Sequence, residues 1–241
     1  MADLYDTYVT VDFDIDFFKK ITAEQGKCLE LMCGTGRVSI PLLQQNVNLT
    51  CVDYSQSMLD ELKKKAKALH LAPRIECQDI CELDLNETYP LILIPFNSFS
   101  EITDSGKQKR AFFKIFQHLE KNGTFVCTLY NPDHRMQTVD GQLRILGKFK
   151  VDKGKSLVIS YYNQLENKSG VVSGMQFYEI YDQQHQLIDK RYLEVSFSLI
   201  TKDEFIDMAQ ETGFTIKEIY GDYDGSPFTN QSRFMNFVLT A

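Results

Sequence analysis

The segment 29–36, "LELMCGTG", limits the fold more than any other part of the chain. A short apolar run ends in two glycines one residue apart, and "RVSIPLLQQ" then continues with the spacing of a helix. Strand, tight turn and helix follow directly on one another. Glycines carry no Cβ, so the backbone N–H groups of such a turn can meet a ligand closely, and the helix that follows directs the positive end of its dipole at the same point. A turn of this kind belongs at the carboxyl edge of a parallel sheet, which is where open α/β folds bind their ligands.

The rest of the chain supplies that sheet. Residues 12–23 carry Phe13, Phe17 and Phe18 at helical spacing, which predicts a helix with the phenylalanines in the core and the aspartates of "DFDIDFF" on an exposed face. Strands are expected at 27–31, 49–52, 74–77, 89–96 and 124–130, and helices at 38–45, 55–69 and 108–121, the last stopped by "KNG". "YPLILIPF" is continuously apolar, as a central strand covered on both faces should be. Alternation of this kind predicts a parallel sheet with helices on both sides.

The pattern changes after residue 135. Four strand-like runs, "RILGKFKV", "SLVISYY", "SGMQFYEIY" and "KRYLEVSFSL", are joined by polar turns, and in the last of them Arg191, Leu193, Val195, Phe197 and Leu199 alternate with Tyr192, Glu194, Ser196 and Ser198. This period of two is that of an antiparallel sheet with one covered face. "TKDEFIDMAQETGF" then reads as a helix with a Thr N-cap and a Gly stop, and strands at 215–220 and 233–239 return to the first sheet. The expected organisation is therefore a helical lid at 1–24, a Rossmann-like domain at 25–135 and 200–241, and an antiparallel insertion at 140–199 over the site.

Charge and cysteines exclude several classes. A formal net charge of −7 argues against nucleic acid as a partner. No basic, apolar leader opens the sequence, and no stretch of about 18 apolar residues is present, so no membrane partner and a cytoplasmic location are expected. The six cysteines form no CxxC pair and no zinc-spaced cluster with histidine, and they read as reduced, buried thiols. Cys33, inside the glycine turn, keeps a second reading as a reactive thiol. No metal site is expected.

Asp53 closes the second strand, where a carboxylate can accept two hydrogen bonds from a ribose diol, so turn and carboxylate together point to an adenine nucleoside. A dinucleotide fingerprint would want a third glycine where Ser39 stands, and it does not call for Glu30 ahead of the turn. "ELMCGTGR" resembles the first motif of the class I S-adenosylmethionine-dependent methyltransferases, and "CVDYSQSML", "CQDI" and "ILIPFNSFSEI" resemble the next three. "YDTYVTVDFDIDFF" and "GDYDGSPF" resemble bacterial small-molecule members with an antiparallel lobe, among them sugar N-methyltransferases.

The resemblance implies S-adenosyl-L-methionine as cofactor and a small-molecule acceptor methylated on N or O. It implies Glu30, Gly34, Thr35 and Gly36 on the methionine and ribose side, Asp53 on the ribose, Tyr54 and Met58 against adenine, and Asp79 and Ile80 at the adenine edge. Pro95, Phe96 and Asn97 would flank the sulfonium, with Tyr5 beside the cofactor. Arg37 is left between the methionine carboxylate and an acidic neighbour. Asp79 keeps an alternative as a turn cap, Met58 as core and Asn97 as a loop former. Methyl transfer needs alignment and exclusion of water, and an amine acceptor also needs deprotonation. Candidates near the acceptor are Tyr5, Tyr8, His134, Tyr223 and Asp224, with Asn97 placing the substrate. His70, His118 and His185 read as surface positions. A homodimer is allowed, and the competing functions are a noncatalytic nucleoside-binding protein and a nicotinamide-dependent oxidoreductase.

Overall fold

A computed structural model describes residues 1–151, 154–166 and 170–241. Two sheets organise it. The larger has seven strands: β1 (Cys28–Leu31), β2 (Leu49–Asp53), β3 (Arg74–Cys77), β4 (Tyr89–Ile94), β5 (Leu119–Tyr130), β10 (Thr215–Tyr220) and β11 (Phe234–Thr240). Their spatial order is β10-β11-β5-β4-β1-β2-β3. β1 to β5 are mutually parallel, whereas β11 runs antiparallel to both β5 and β10. The turn after β10 therefore emerges at the same carboxyl edge as the turns after β1 and β2.

Helices cover both faces. Along β4, Leu91 and Leu93 join a core with Phe17 and Phe18 of α2 (Ile15–Thr22), Leu42 of α3 (Ser39–Leu43) and Leu59 and Leu62 of α4 (Gln56–Ala68). Ile92 and Ile94 point the other way, to Phe112 of α5 (Ser105–Gln117) and Phe205 of α7 (Lys202–Thr212). The continuous apolar run of β4 thus serves two cores at once. α7 ends as its sequence requires: Thr201 and Glu204 form a capping box, and Gly213 takes the left-handed φ of 107° that stops it.

The second sheet has four antiparallel strands in the order β6 (Arg144–Val151), β7 (Lys155–Glu166), β8 (Val171–Tyr181), β9 (Leu187–Ser198). Its inner face buries Leu157, Ile159, Tyr178 and Ile180 against Leu4 of the N-terminal helix α1 (Ala2–Tyr8). α1 is tied to β9 by Arg191 and Asp3 at 2.8 Å and to the sheet's inner face by the Tyr8 and Tyr178 hydroxyls, 3.0 Å apart. It is equally tied to the larger sheet, where Asp6 accepts from the Thr35 hydroxyl and from Lys65, both at 2.6 Å. α1 therefore bridges the two sheets beside the glycine turn.

Four expectations need correction. α5 begins at Ser105, where the Asp104 carboxylate caps Lys107 N–H at 2.7 Å, and it ends before "KNG". Asn122, at φ 63°, and Gly123 instead form an irregularity inside β5, where the pairing jumps from Leu119 to Thr124. His118 is buried rather than exposed: its Nδ1 donates to the Lys114 carbonyl at 2.7 Å while Nε2 accepts from Leu85 N–H at 3.1 Å, fixing the neutral tautomer at the end of α5. Cys77 is the exposed cysteine. Asp14, expected on an exposed face, has no solvent exposure, while Phe13 is exposed, because α2 starts one residue after Asp14 and turns that carboxylate inward to Arg37. No helix among the described residues is long and apolar enough to cross a membrane.

Candidate active site

The site begins where β1 ends. Gly34 and Gly36 adopt φ of 56° and 85°, which only glycine takes without strain. They differ in surroundings. A Cβ on Gly36 would lie 2.3 Å from Leu62 Cδ1, so this glycine lets the turn pack on α4; a Cβ on Gly34 would meet nothing within 4 Å, so this one keeps a space open. Gly34 N–H donates to Asp53 Oδ2 at 2.8 Å, and Ser55 N–H donates to Oδ1 at 2.8 Å. Asp53 is buried, which raises its pKa, and the backbone donors act against that rise. Each of its oxygens retains a lone pair for a further donor.

Behind the turn Glu30 is buried on β1 and accepts from the Ser39 hydroxyl at 2.6 Å. Desolvation pushes its carboxyl up to about 8, more than the Ser39 bond and the Arg37 charge lower it. Thr35 is buried and spends its hydroxyl on Asp6. Cys33 is held as a thiol, its pKa pushed well up by its bond with Cys51 and by burial.

Beside Asp53 lies a cavity of about 270 Å³, lined among others by Met32, Tyr54, Asp79, Ile80 and Glu101. The Tyr54 ring is mostly exposed at the β2 end, and Ile80, also in the lining, is buried. Asp79 accepts from Cys81 N–H at 2.8 Å and so caps the turn Ile80–Glu82, leaving one carboxylate oxygen uncommitted. Met58 is half-buried on α4, outside the cavity lining. Glu101 is the lining residue that the motif "ILIPFNSFSEI" contained but did not single out. Glu101 is solvent-exposed at the rim of the cavity, and the protein packed around its carboxylate, and then the Asp53 charge, push it up to about 7. An acidic residue in an otherwise apolar loop after a central strand was the available signal.

The carboxyl end of β4 is built differently. Phe96 and Asn97 follow β4 with consecutive left-handed φ of 59° and 62°, a costly conformation for such residues. Phe96 N–H donates to Thr128 Oγ1 at 2.9 Å, and Asn97 bonds Ser100 at 2.7 Å and Tyr130 N–H at 2.9 Å. Asn97 thus locks the ends of β4 and β5, with buried Pro95 two residues before it. Both terminal nitrogens of Arg37 meet Asp14, the acidic neighbour of one of its two readings, at 2.6 Å, and its guanidinium stacks 4.2 Å from the Phe96 ring centroid.

Tyr5 and Tyr8 pack edge to face at 5.6 Å, and burial raises the pKa of both. Tyr223 is buried among Phe13, Phe17, Phe18 and Phe234, and its pKa is raised too. Asp224 is exposed, its carboxylate accepting from Ser226 N–H in the turn at 2.8 Å. His134 is exposed on α6 (Pro132–Arg135). The structure therefore gathers Gly34, Asp53, Tyr54, Asp79 and Ile80 at one edge, and leaves Asp224, Met58 and His134 apart from them.

A family profile described as "Methyltransferase domain" matches residues 28–123, the span from β1 into β5 that carries the glycine turn, Asp53 and Asp79. Residues 28–123 are thus similar to a methyltransferase domain. A crystal structure of an S-adenosylmethionine-dependent methyltransferase from Clostridium acetobutylicum ATCC 824 is similar over 99% of this chain and 96% of that one, at 23% identity and a TM-score of 0.84. The sugar N-methyltransferase KedS8 from Streptoalloteichus sp. ATCC 53650 is similar over 99% and 92%, at 16% identity and a TM-score of 0.79. Among curated proteins, the cypemycin N-terminal methyltransferase of a Streptomyces species is 25% identical over 214 residues, 88% of this chain and 81% of that one. Within this segment the open space over Gly34, the buried carboxylate of Asp53 and the cavity beside them lie together.

Proposed function

We propose that the protein moves a methyl group from S-adenosylmethionine to a nitrogen or oxygen of a small molecule. The observation that carries this is the Gly34 turn bonded to Asp53 at the sheet's carboxyl edge, next to the cavity of Tyr54 and Ile80. In this reading Asp53 accepts from the two ribose hydroxyls, the open oxygen of Asp79 accepts from the adenine amino group, and Tyr54 and Ile80 sandwich the ring. Glu30, through Ser39, stiffens the turn from behind. The bound cofactor supplies an electrophilic methyl on a sulfonium.

The chain's part is then to place the acceptor and keep water out. α1 is the lid, since Asp6 anchors it to the glycine turn while Asp3 and Tyr8 anchor it to the four-stranded sheet. That sheet roofs the acceptor. Tyr5, Tyr8 and Tyr223 stay protonated near neutral pH, because burial raises each of them, and they can position an acceptor but not deprotonate it.

Incubation with S-adenosylmethionine and a panel of amines, hydroxy acids and sugar nucleotides tests the proposal. Release of S-adenosylhomocysteine that depends on one class of acceptor is expected. Tight binding of S-adenosylhomocysteine without turnover on any member would favour a noncatalytic binding protein instead.

A further inference from the structure

The chain has seven arginines, and five of them, Arg37, Arg74, Arg110, Arg144 and Arg191, lie within ion-pair distance of a carboxylate. Among the described residues, Arg135 and Arg233 do not. Both stand against the ring of Tyr130 at the carboxyl end of β5, with guanidinium carbons 5.6 and 5.8 Å from its centroid. With 33 acidic against 26 basic side chains, counter-charges are abundant, yet among the described residues neither of these two arginines meets one.

Arg135 is the more constrained of the two. Its guanidinium also lies 4.9 Å from the centroid of Phe197, so a ring from each sheet holds it at their junction. Its Nε is buried and has no hydrogen-bond partner. A desolvated guanidinium donor without an acceptor costs free energy, and its natural partner is an oxyanion that takes two N–H donors together. The pocket that Arg135 lines with Asn97, Ser100 and Ser198 encloses only about 10 Å³, room for roughly one oxygen-sized group. A ring cannot enter it, but the edge of an anion at its mouth can.

We propose that Arg135, supported by Arg233, is an anion subsite for the acceptor, and hence that the acceptor carries a carboxylate or a phosphate. The inference rests on the methyl-transfer reading for what the anion belongs to, but not for the existence of the subsite. Asn97 links the two regions: it lines this pocket and also fixes the end of β4 beside Phe96. An acceptor held by its anionic end at Arg135 is thereby restricted in orientation before any contact with the transferring methyl. The acidic surface elsewhere makes the pair a local attraction rather than a general one.

The test titrates inorganic phosphate and, separately, acetate at constant ionic strength into the full-length protein with and without S-adenosylhomocysteine, following arginine Nε–H resonances. Saturable millimolar binding is expected in wild type. It should weaken at least tenfold in Arg135→Gln, less in Arg233→Gln, and not in Arg110→Gln, whose partner Glu82 is elsewhere. Arg135→Lys, which keeps the charge, should retain part of the binding and guards against loss through misfolding, which circular dichroism checks. Tighter phosphate indicates a phosphorylated acceptor and tighter acetate a carboxylate one; either supports the subsite. No saturable binding of either anion, or binding that Arg135→Gln leaves unchanged, overturns it. Failure of S-adenosylhomocysteine to bind wild type would instead remove the methyl-transfer reading, and the anion titration without it would still decide the subsite.

Discussion

The two halves of the carboxyl edge are held together by different means. On the cofactor side, Asp53 bonds Ser55 two residues away and Gly34 at the neighbouring strand end, and Asp79 bonds Cys81. These are side chains gripping nearby backbone. Toward the four-stranded sheet, ties between side chains far apart in the chain are added: Tyr8 with Tyr178, Arg37 with Asp14, Arg191 with Asp3, and Arg135 between Tyr130 and Phe197. A nucleoside is the same for every enzyme that uses it, and short fixed motifs suffice for it. An acceptor site has to be assembled from whatever two sheets and a helix bring together, and its pieces carry no common spacing.

The largest expected effect breaks the first half alone. Gly34→Val places a side chain in the open space over the turn and demands a left-handed φ from a β-branched residue. Affinity for S-adenosylhomocysteine should fall by about a hundredfold or more while circular dichroism keeps the native signature. If the fold collapses together with binding, the glycine serves structure rather than ligand access.

Asp14→Ala should act in the opposite way, on stability more than on the nucleoside. It leaves the Arg37 guanidinium, only 13% exposed, without its carboxylate, a loss on the order of 3–5 kcal/mol for a buried pair. Urea denaturation would show this as a lower midpoint. A shift under about 1 kcal/mol would mean that the pair contributes little and that Arg37 is free to serve the cofactor.

Glu30 gives a pH test of the same contrast. Its carboxyl is raised from an ordinary 4.5 to about 8, so the folded state holds the proton more tightly than the unfolded chain between these values. Stability relative to Glu30→Gln should therefore fall as pH rises from about 4.5 to about 8, and level off above. Parallel denaturation profiles for the two proteins at pH 5 and pH 8 would contradict the burial that raises it.

The smallest effect concerns the lid. Tyr8→Phe removes the hydroxyl bond to Tyr178 but not the ring packing, a change of about 1 kcal/mol. Hydrogen exchange in α1 should quicken slightly, and S-adenosylhomocysteine affinity should change by less than about threefold. Exchange identical to wild type would show that Asp3 and Asp6 hold α1 without it.

The same contrast explains what the sequence discloses. The seven-stranded sheet, its helices and the four antiparallel strands were legible because burial on one or two faces leaves a period. The glycine turn and the carboxylate bonded to it were legible because glycines at positive φ and a carboxylate at a strand end have few other uses. Asp14 was not legible: beside Asp12 and Asp16 it looks like one more surface acid, and only the placement of α2 next to the glycine turn buries it. The end of α5 was misplaced because Asn-Gly, a common helix stop, here shapes a bulge in β5. Arg135 was invisible for a third reason: its partners, Tyr130 and Phe197, meet only when the two sheets come together.

Asp53 tests the central claim most directly, namely that the edge marked by Gly34 holds the ribose of S-adenosylmethionine. Titration calorimetry of S-adenosylhomocysteine into wild type and Asp53→Ala, with NAD as a control ligand, compares two charge-assisted hydrogen bonds worth roughly 1.5–3 kcal/mol each. Wild type should bind S-adenosylhomocysteine and not NAD, and the variant should lose at least about a hundredfold in affinity with its fold intact. An affinity within about twofold of wild type, or preference for NAD, would contradict the account.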